Sequence, residues 1–208
     1  MSWISGNYYL NTAQMTNNAR IIQAYGIEEG WSPNAICAIL GNMQSESTIN
    51  PGIWESLSVG RGGYGLVQWT PYTKYANWAG AGWQDNGTRE LERISYEAAN
   101  NEQWFYNAQI GMAPPYSFDD FLHDDTTPLA TMANYFLWFY EHPANPYQPQ
   151  RGTQAQYWYD HLDWDYDPDD PPTPPDPDPP DPDPPEPPED NFPYWILFKF
   201  KGRGQIWL

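Results

Sequence analysis

The sequence has one cysteine, Cys37, among its 208 residues. A single cysteine cannot form a disulfide within its own chain, so nothing in the sequence indicates an oxidising compartment. Cys37 lies in an apolar helical run, and we expect it to be a small buried side chain, as free cysteines usually are.

Long apolar runs and positive charge are also scarce. No stretch reaches the roughly 20 apolar residues that a membrane-spanning helix needs. Residues 1–12 lack the basic start and apolar core of a signal peptide, so we expect none. Nine Lys and Arg oppose 27 Asp and Glu, which gives a net charge of −18. Nucleic acid attracts clustered Lys and Arg, so this acidic chain is not expected to bind it.

Metal ligands are few as well. The three histidines, His123, His142 and His161, do not show the spacing of a zinc site. We therefore expect no metal, no cofactor and no zinc-dependent peptidase in these 208 residues. His161 is expected on the surface of a helix.

Proline and acidic residues are abundant but unevenly placed. Residues 168–190 hold 13 of the 23 prolines and 9 of the 27 acids. Such a stretch lacks the apolar side chains that could form a core, and its prolines and like charges favour an extended chain. We predict an acidic, Pro-rich linker over residues 163–190. Residues 1–162 are predicted to form the globular domain and are long enough to bury a core.

Residues 191–208 change character again, because apolar side chains return with a period of two. The alternating positions are Tyr194, Ile196, Phe198 and Phe200 against Trp195, Leu197, Lys199 and Lys201. This period predicts a strand-like segment with an apolar face. Three interpretations stay open: an added strand on a partner protein, the start of a domain cut off at residue 208, and contact with a membrane interface. We favour docking on a partner.

Six or seven short helices and little strand are predicted for residues 1–162, so the fold class is mainly α with irregular connections. The best-signalled helix has Ser32 as its cap and Pro33 in its first turn. Residues 52–63 are predicted to be a loop. A later helix is predicted to be capped by Thr88 and to carry its charges on a solvated face.

The helix that starts at Pro33 has an apolar series that ends on an acid. Ile36, Ile39 and Met43 recur at spacings of three and four, and the next position in the series is Glu46. This places its carboxyl at the inner edge of the domain, where burial makes ionisation costly. A carboxyl that stays protonated can deliver a proton to a glycosidic oxygen. Periodicity alone favours the commoner alternative, a solvated glutamate at a helix end.

Two segments around Glu46 resemble the paired signature of lysozyme-like peptidoglycan hydrolases. They are GNMQSESTINPG (41–52), with its Glu-Ser pair, and GYGLVQWTP (63–71), with its Gly-Leu-x-Gln segment. The run YEHPANPYQPQRGTQAQYWY (140–159) extends the likeness. Over roughly residues 1–162 the chain is similar to the phage tail lysozyme family, in particular to lysozyme domains of tail-knob proteins from small podophages.

This resemblance implies a lysozyme-type α fold that cleaves the β-1,4 bond between N-acetylmuramic acid and N-acetylglucosamine. It also implies a place at the virion tail tip, where local digestion of the wall lets DNA enter. Glu46 would be the general acid and Gln68 a groove residue. Tyr64, Trp69 and Trp54 are further sugar-binding candidates, since flat aromatic faces suit sugar rings. Trp69 is equally well interpreted as a core residue.

The second carboxylate stays open among Glu55, Asp85 and Glu141. An inverting enzyme needs a base roughly 6.5–9.5 Å from the acid, and a retaining enzyme a nucleophile nearer 5 Å. We favour Glu55, because it lies between the two motifs, and expect Glu141 to be a structural partner of Arg151. A lytic transglycosylase needs no activated water, so that chemistry also stays open.

The expected partners are peptidoglycan glycan strands and, through residues 191–208, other phage tail proteins. Two other functions are considered. One is a non-catalytic wall-binding or structural tail module, against which the intact Glu46 and Gln68 argue. The other is a free endolysin, against which the apolar end of the chain argues, because it favours attachment.

Overall fold

The computed structural model of the chain describes residues 1–164. Regular structure in that range consists of seven α-helices, one π-helical turn and one two-stranded hairpin. The predicted mainly α fold is therefore confirmed. Apart from Asp163 and Trp164, the predicted linker lies outside the described residues, as does the segment 191–208. None of the helices described is long and apolar enough to cross a membrane.

The helices follow one another with irregular connections. They are α1 (Thr12–Glu28), α2 (Pro33–Ser47), α3 (Thr73–Ala79), α4 (Gly87–Ala99), α5 (Phe118–His123), α6 (Leu129–Phe136) and α7 (Gln150–His161). A π-helical turn, Leu137–Glu141, continues α6 directly. The hairpin pairs β1 (Trp54–Ser56) with β2 (Arg61–Tyr64) in antiparallel fashion.

Helix α2 is the centre of the domain. The Ser32 hydroxyl accepts the N–H of Ala35 at 3.0 Å, and Pro33 fills the first turn, where no N–H is needed. Every residue from Ala35 to Met43 is buried, Cys37 among them. Helices α6 and α7 make most of the contacts, and α1 and α5 pack on the remaining sides. A helix buried on all sides holds its last turn in a defined place.

Helices α2 and α7 approach each other closely at Gly41. A Cβ added there would lie 2.5 Å from the carbonyl oxygen of Arg151 and 2.7 Å from the backbone nitrogen of Ala155. Only a glycine leaves room for two helix backbones at this separation. The contact brings the first turn of α7 against the second half of α2.

Two local predictions are wrong. Residues 52–63 contain β1 and most of β2, because Trp54 and Tyr64 pair across the strands with their ring centroids 4.8 Å apart. Helix α4 begins two residues earlier than predicted, since the cap is Asn86 and not Thr88, and the Asn86 side chain accepts the N–H of Arg89 at 3.1 Å. The Thr88 hydroxyl instead accepts the indole N–H of Trp3 at 3.0 Å.

The substitution Gly41→Ala should lower the free energy of unfolding by about 1–3 kcal/mol, because the added methyl group forces the two backbones apart. The matched control is Gly152→Ala on α7. A Cβ there meets only Ala130, no closer than 3.3 Å, and alanine favours a helix over glycine by roughly 1 kcal/mol. Urea unfolding of both variants makes the measurement. Equal stability of the two would contradict the close contact.

Candidate active site

One face of the domain carries a groove of about 750 Å³. Its walls come from the end of α2, the hairpin and the loop after it, the start of α3, the loop after α4, and the end of the π-helical turn with the residues that follow it. The acids that line it are Glu46, Glu55 and Glu141. The aromatic residues that line it are Tyr9, Trp54, Trp69, Phe105, Tyr106 and Tyr140.

Glu46 lies in the last turn of α2 with 22 % of its side chain exposed, so it is half-buried rather than enclosed. Its Oε1 accepts a hydrogen bond from Nη2 of Arg151 at 2.5 Å. The expected pairing of Arg151 with Glu141 is wrong, because Arg151 forms its ion pair with Glu46. The close α2–α7 contact is the reason: it brings the guanidinium to the carbonyl of Asn42 at 3.0 Å, one turn before Glu46.

Ser47, the second member of the Glu-Ser pair, points into the domain. Its side chain is buried, and its hydroxyl lies 2.9 Å from the carbonyl oxygen of Leu66. Consecutive helical positions face different directions. The two residues therefore have different roles. Glu46 faces the groove, and the hydrogen bond of Ser47 to Leu66 holds the loop after β2 against the end of α2.

The other backbone polar group of Leu66 is held by a residue that sequence reasoning missed. Its N–H donates to Oε2 of Glu90 at 2.7 Å. Glu90 is fully buried, and burial raises its pKa well above the ordinary value. A Cβ on Gly65 would lie 2.5 Å from this carboxyl, and Gly65 has a φ of +79°. Glycine is thus required for the loop to rest on Glu90.

Gln68 lies at the end of this loop and lines the groove. Its Nε2 donates to the carbonyl of Gly65 at 2.9 Å. Its Oε1 is buried and has no hydrogen-bond partner within the protein. A substrate N–H or O–H is the kind of donor that would satisfy this oxygen.

The aromatic candidates divide between the groove and the core. Trp54 is half-buried and lines the groove, whereas Trp69 lines it with only 3 % of its surface exposed. Tyr64 is 1 % exposed and packs against Trp54, so it supports the groove from beneath and is not part of its surface. The Tyr64 hydroxyl accepts the N–H of Asp85, which also lies outside the groove lining.

Two sides of the groove are joined by Glu97, which is 1 % exposed. Its Oε1 accepts the indole N–H of Trp69 at 3.2 Å and Nε of Arg93 at 2.9 Å. Its Oε2 accepts the hydroxyl of Tyr140 at 2.5 Å. Burial raises the pKa of Glu97, and its hydrogen bonds with Tyr140, Arg93 and Trp69 oppose that rise.

The prediction that the charges of α4 form a solvated face is wrong for three of them. Glu90, Arg93 and Glu97 are buried at spacings of three and four. Glu90 directly precedes Leu91 and Arg93 directly precedes Ile94, so the charged series has the same spacing as the apolar one. That parallel spacing is the signal in the sequence from which their burial could have been predicted.

Glu141 and His142 end the π-helical turn and line the groove. Oε1 of Glu141 is buried without a partner, and so is Nε2 of His142. Burial raises the pKa of Glu141 well above the ordinary value, and the negative charge of Glu46 adds to the rise. Burial lowers the pKa of His142, and the positive charge of Lys74 contributes in the same direction.

Glu55 also lines the groove, and its side chain is exposed. Its Oε2 accepts the N–H of Gly63 at 2.9 Å, so it helps to hold the hairpin. His161 is exposed on α7, as predicted. In residues 1–164 no group of three or more His, Cys, Asp or Glu is arranged to hold a metal ion.

The substitution Glu90→Gln should change how stability depends on pH. The unfolded chain releases the Glu90 proton near the ordinary value of 4.5, whereas the folded chain releases it only at higher pH. Its contribution to stability is therefore complete below that value and is lost as the pH rises towards the folded pKa, by at most about 1.4 kcal/mol per pH unit. Glu90→Gln lacks this loss.

Urea unfolding of both proteins from pH 4 to pH 8 measures the difference, which should grow in favour of Glu90→Gln. Glu92→Gln, a more exposed position on the same helix, controls for the loss of one negative charge. A difference that does not change with pH would contradict the assignment of Glu90 as a buried, protonated carboxyl.

The chain is similar to a known family and to a known phage protein. The family model described as phage tail lysozyme matches residues 17–162. Morphogenesis protein 1 of Bacillus phage B103 is 48 % identical over 159 residues, which cover 74 % of this chain and 42 % of that relative. The chain therefore spans less than half the length of that relative. The family match covers most of the chain and includes Glu46, Gln68 and Glu141, and the chain belongs to the phage tail lysozyme family.

Proposed function

We propose that residues 1–162 cleave the β-1,4 bond between N-acetylmuramic acid and N-acetylglucosamine in peptidoglycan, with Glu46 as the general acid. The observation that carries this proposal is the groove that Glu46 lines at the end of a buried helix, with Gln68 on the loop that Ser47 attaches to the same helix end. Membership of the phage tail lysozyme family supports the substrate class.

The groove lining suits a glycan strand. Trp54 is half-buried, and Phe105 and Tyr106 are more than half exposed, so sugar rings have flat apolar faces to stack on. The unpartnered Oε1 of Gln68 offers an acceptor to an N-acetyl N–H or a hydroxyl. Glu55 adds an exposed carboxylate that can accept from sugar hydroxyls.

Catalysis requires a proton at the glycosidic oxygen, which is a poor leaving group until it is protonated. Glu46 is the acid on the most rigid support, because α2 is buried from Ala35 to Met43. Arg151 fixes the position of its carboxyl. We propose that this fixed position aligns Glu46 with the scissile oxygen, since orientation is a large part of such catalysis.

The substitution Glu46→Gln should reduce release of glycan fragments from purified peptidoglycan by roughly 10²–10⁴-fold, the usual contribution of a general acid. The amide keeps an oxygen that accepts from Arg151, so the fold should persist. Circular dichroism and urea unfolding check this. Glu28→Gln, an exposed position on α1, is the control and should have wild-type activity. Retained activity in Glu46→Gln would contradict the proposal.

We further propose that the protein acts at the virion tail tip, with the predicted linker 163–190 as a tether and residues 191–208 docked on other tail proteins. Antibodies against residues 1–162 should then label purified virions at the tip of the tail. Absence of label from intact virions, with the protein found only in lysed cells, would instead support a free endolysin.

A further inference from the structure

The groove contains an unusual concentration of unsatisfied polar atoms. Four buried side-chain atoms of residues 1–164 have no hydrogen-bond partner: Gln68 Oε1, Glu90 Oε1, Glu141 Oε1 and His142 Nε2. Three of these belong to residues that line the groove. Leaving such a group unpaired costs about 1–3 kcal/mol, so proteins keep few of them and mostly where a ligand or a reaction uses them.

Two of the three groove carboxyls, Glu46 and Glu141, interact electrostatically, but only Glu46 has an ion-pair partner within residues 1–164. Arg151 is 4 % exposed and donates to Glu46. Its other hydrogen bonds go to Asn42 and Gln148. None goes to Glu141, whose Oε1 has no hydrogen-bond partner in the described part of the chain. One cation therefore balances one carboxylate, and the second carboxyl is left to stay neutral by holding a proton.

The charges around Glu141 agree with this division. Glu46 from α2 and Glu97 from α4 face it with negative charge, and Arg151 from α7 faces it with positive charge. Burial and the two carboxylates raise the pKa of Glu141, and Arg151 only partly offsets them. These surroundings favour the protonated form of Glu141.

Building on the glycosidase activity proposed above, we propose that Glu141 is the second catalytic carboxyl: it activates water, and it exchanges one proton with Glu46 in every cycle. The favoured sequence candidate, Glu55, is exposed, and its Oε2 accepts the N–H of Gly63 in the hairpin. Glu141 instead presents an unpartnered oxygen in the same groove as Glu46.

The cycle balances without any other reactant. The proton first passes from Glu141 to Glu46 through groove water. Ionised Glu141 then takes a proton from the attacking water as the water oxygen bonds to the anomeric carbon. Glu46 gives its proton to the glycosidic oxygen, which keeps the electron pair of the broken carbon–oxygen bond. Glu141 is then protonated and Glu46 ionised, as at the start of the proposed cycle.

The test measures activity against pH on purified peptidoglycan for the wild type, Glu141→Gln, Glu141→Ala and Glu46→Gln. We expect Glu141→Gln to fold and to lose roughly 100-fold or more in activity. Its residual activity should lack the acidic limb of the wild-type bell-shaped profile, because this variant has no Glu141 carboxylate whose protonation could stop the reaction. Formate, a small carboxylate, should restore part of the activity of Glu141→Ala.

The outcomes separate this inference from the function on which it rests. Wild-type activity in Glu46→Gln overturns the proposed function itself. An inactive Glu46→Gln with Glu141→Gln within threefold of wild type overturns only the role of Glu141. Loss of activity with an unchanged acidic limb and no formate rescue shows a structural role and also overturns it. Mass analysis should find reducing ends in the products, and anhydro ends would exclude water activation.

Discussion

The ion pair between Arg151 and Glu46 is the contact on which the groove depends. Arg151 is almost fully buried, and a buried guanidinium is stable only where its N–H groups are paired. Its partners are Asn42 and Glu46 on α2 and Gln148 in the loop before α7. Pairing this charge therefore determines where α7 begins and where the carboxyl of Glu46 lies. The glycine at position 41 is what lets the two helices come close enough.

The rest of the groove is held by buried carboxyls as well as by apolar packing. Ser47 and Glu90 hold the two backbone polar groups of Leu66, and Glu97 joins Trp69 to Tyr140. Hydrogen bonds to carboxyls are directional, so they position these groups more narrowly than apolar contact does. Burying acids costs stability, which is a common feature of sites built for function.

The chain belongs to the phage tail lysozyme family, and the acids that line its groove lie in different surroundings. Glu46 forms an ion pair with Arg151, whereas Oε1 of Glu141 is buried without a hydrogen-bond partner among residues 1–164, and the charges of Glu46 and Glu97 raise the pKa of Glu141. Two carboxyls in unlike surroundings are the usual arrangement for acid and base chemistry at a single site. The π-helical turn matters here, because it ends at Glu141 and such turns occur often at functional sites.

Short-range signals in the sequence were sufficient for the helical class, for the start of α2 at Ser32 and Pro33, and for the position of Glu46. Each depends on hydrogen bonds or periodicity within a few residues. The hairpin was missed because its strands are short and glycine-rich. The partner of Arg151, the core position of Tyr64 and the burial of Glu90 and Glu97 were decided only by the tertiary structure. These depend on which distant elements meet, and a charge with several possible partners pairs with the one that packing brings within reach.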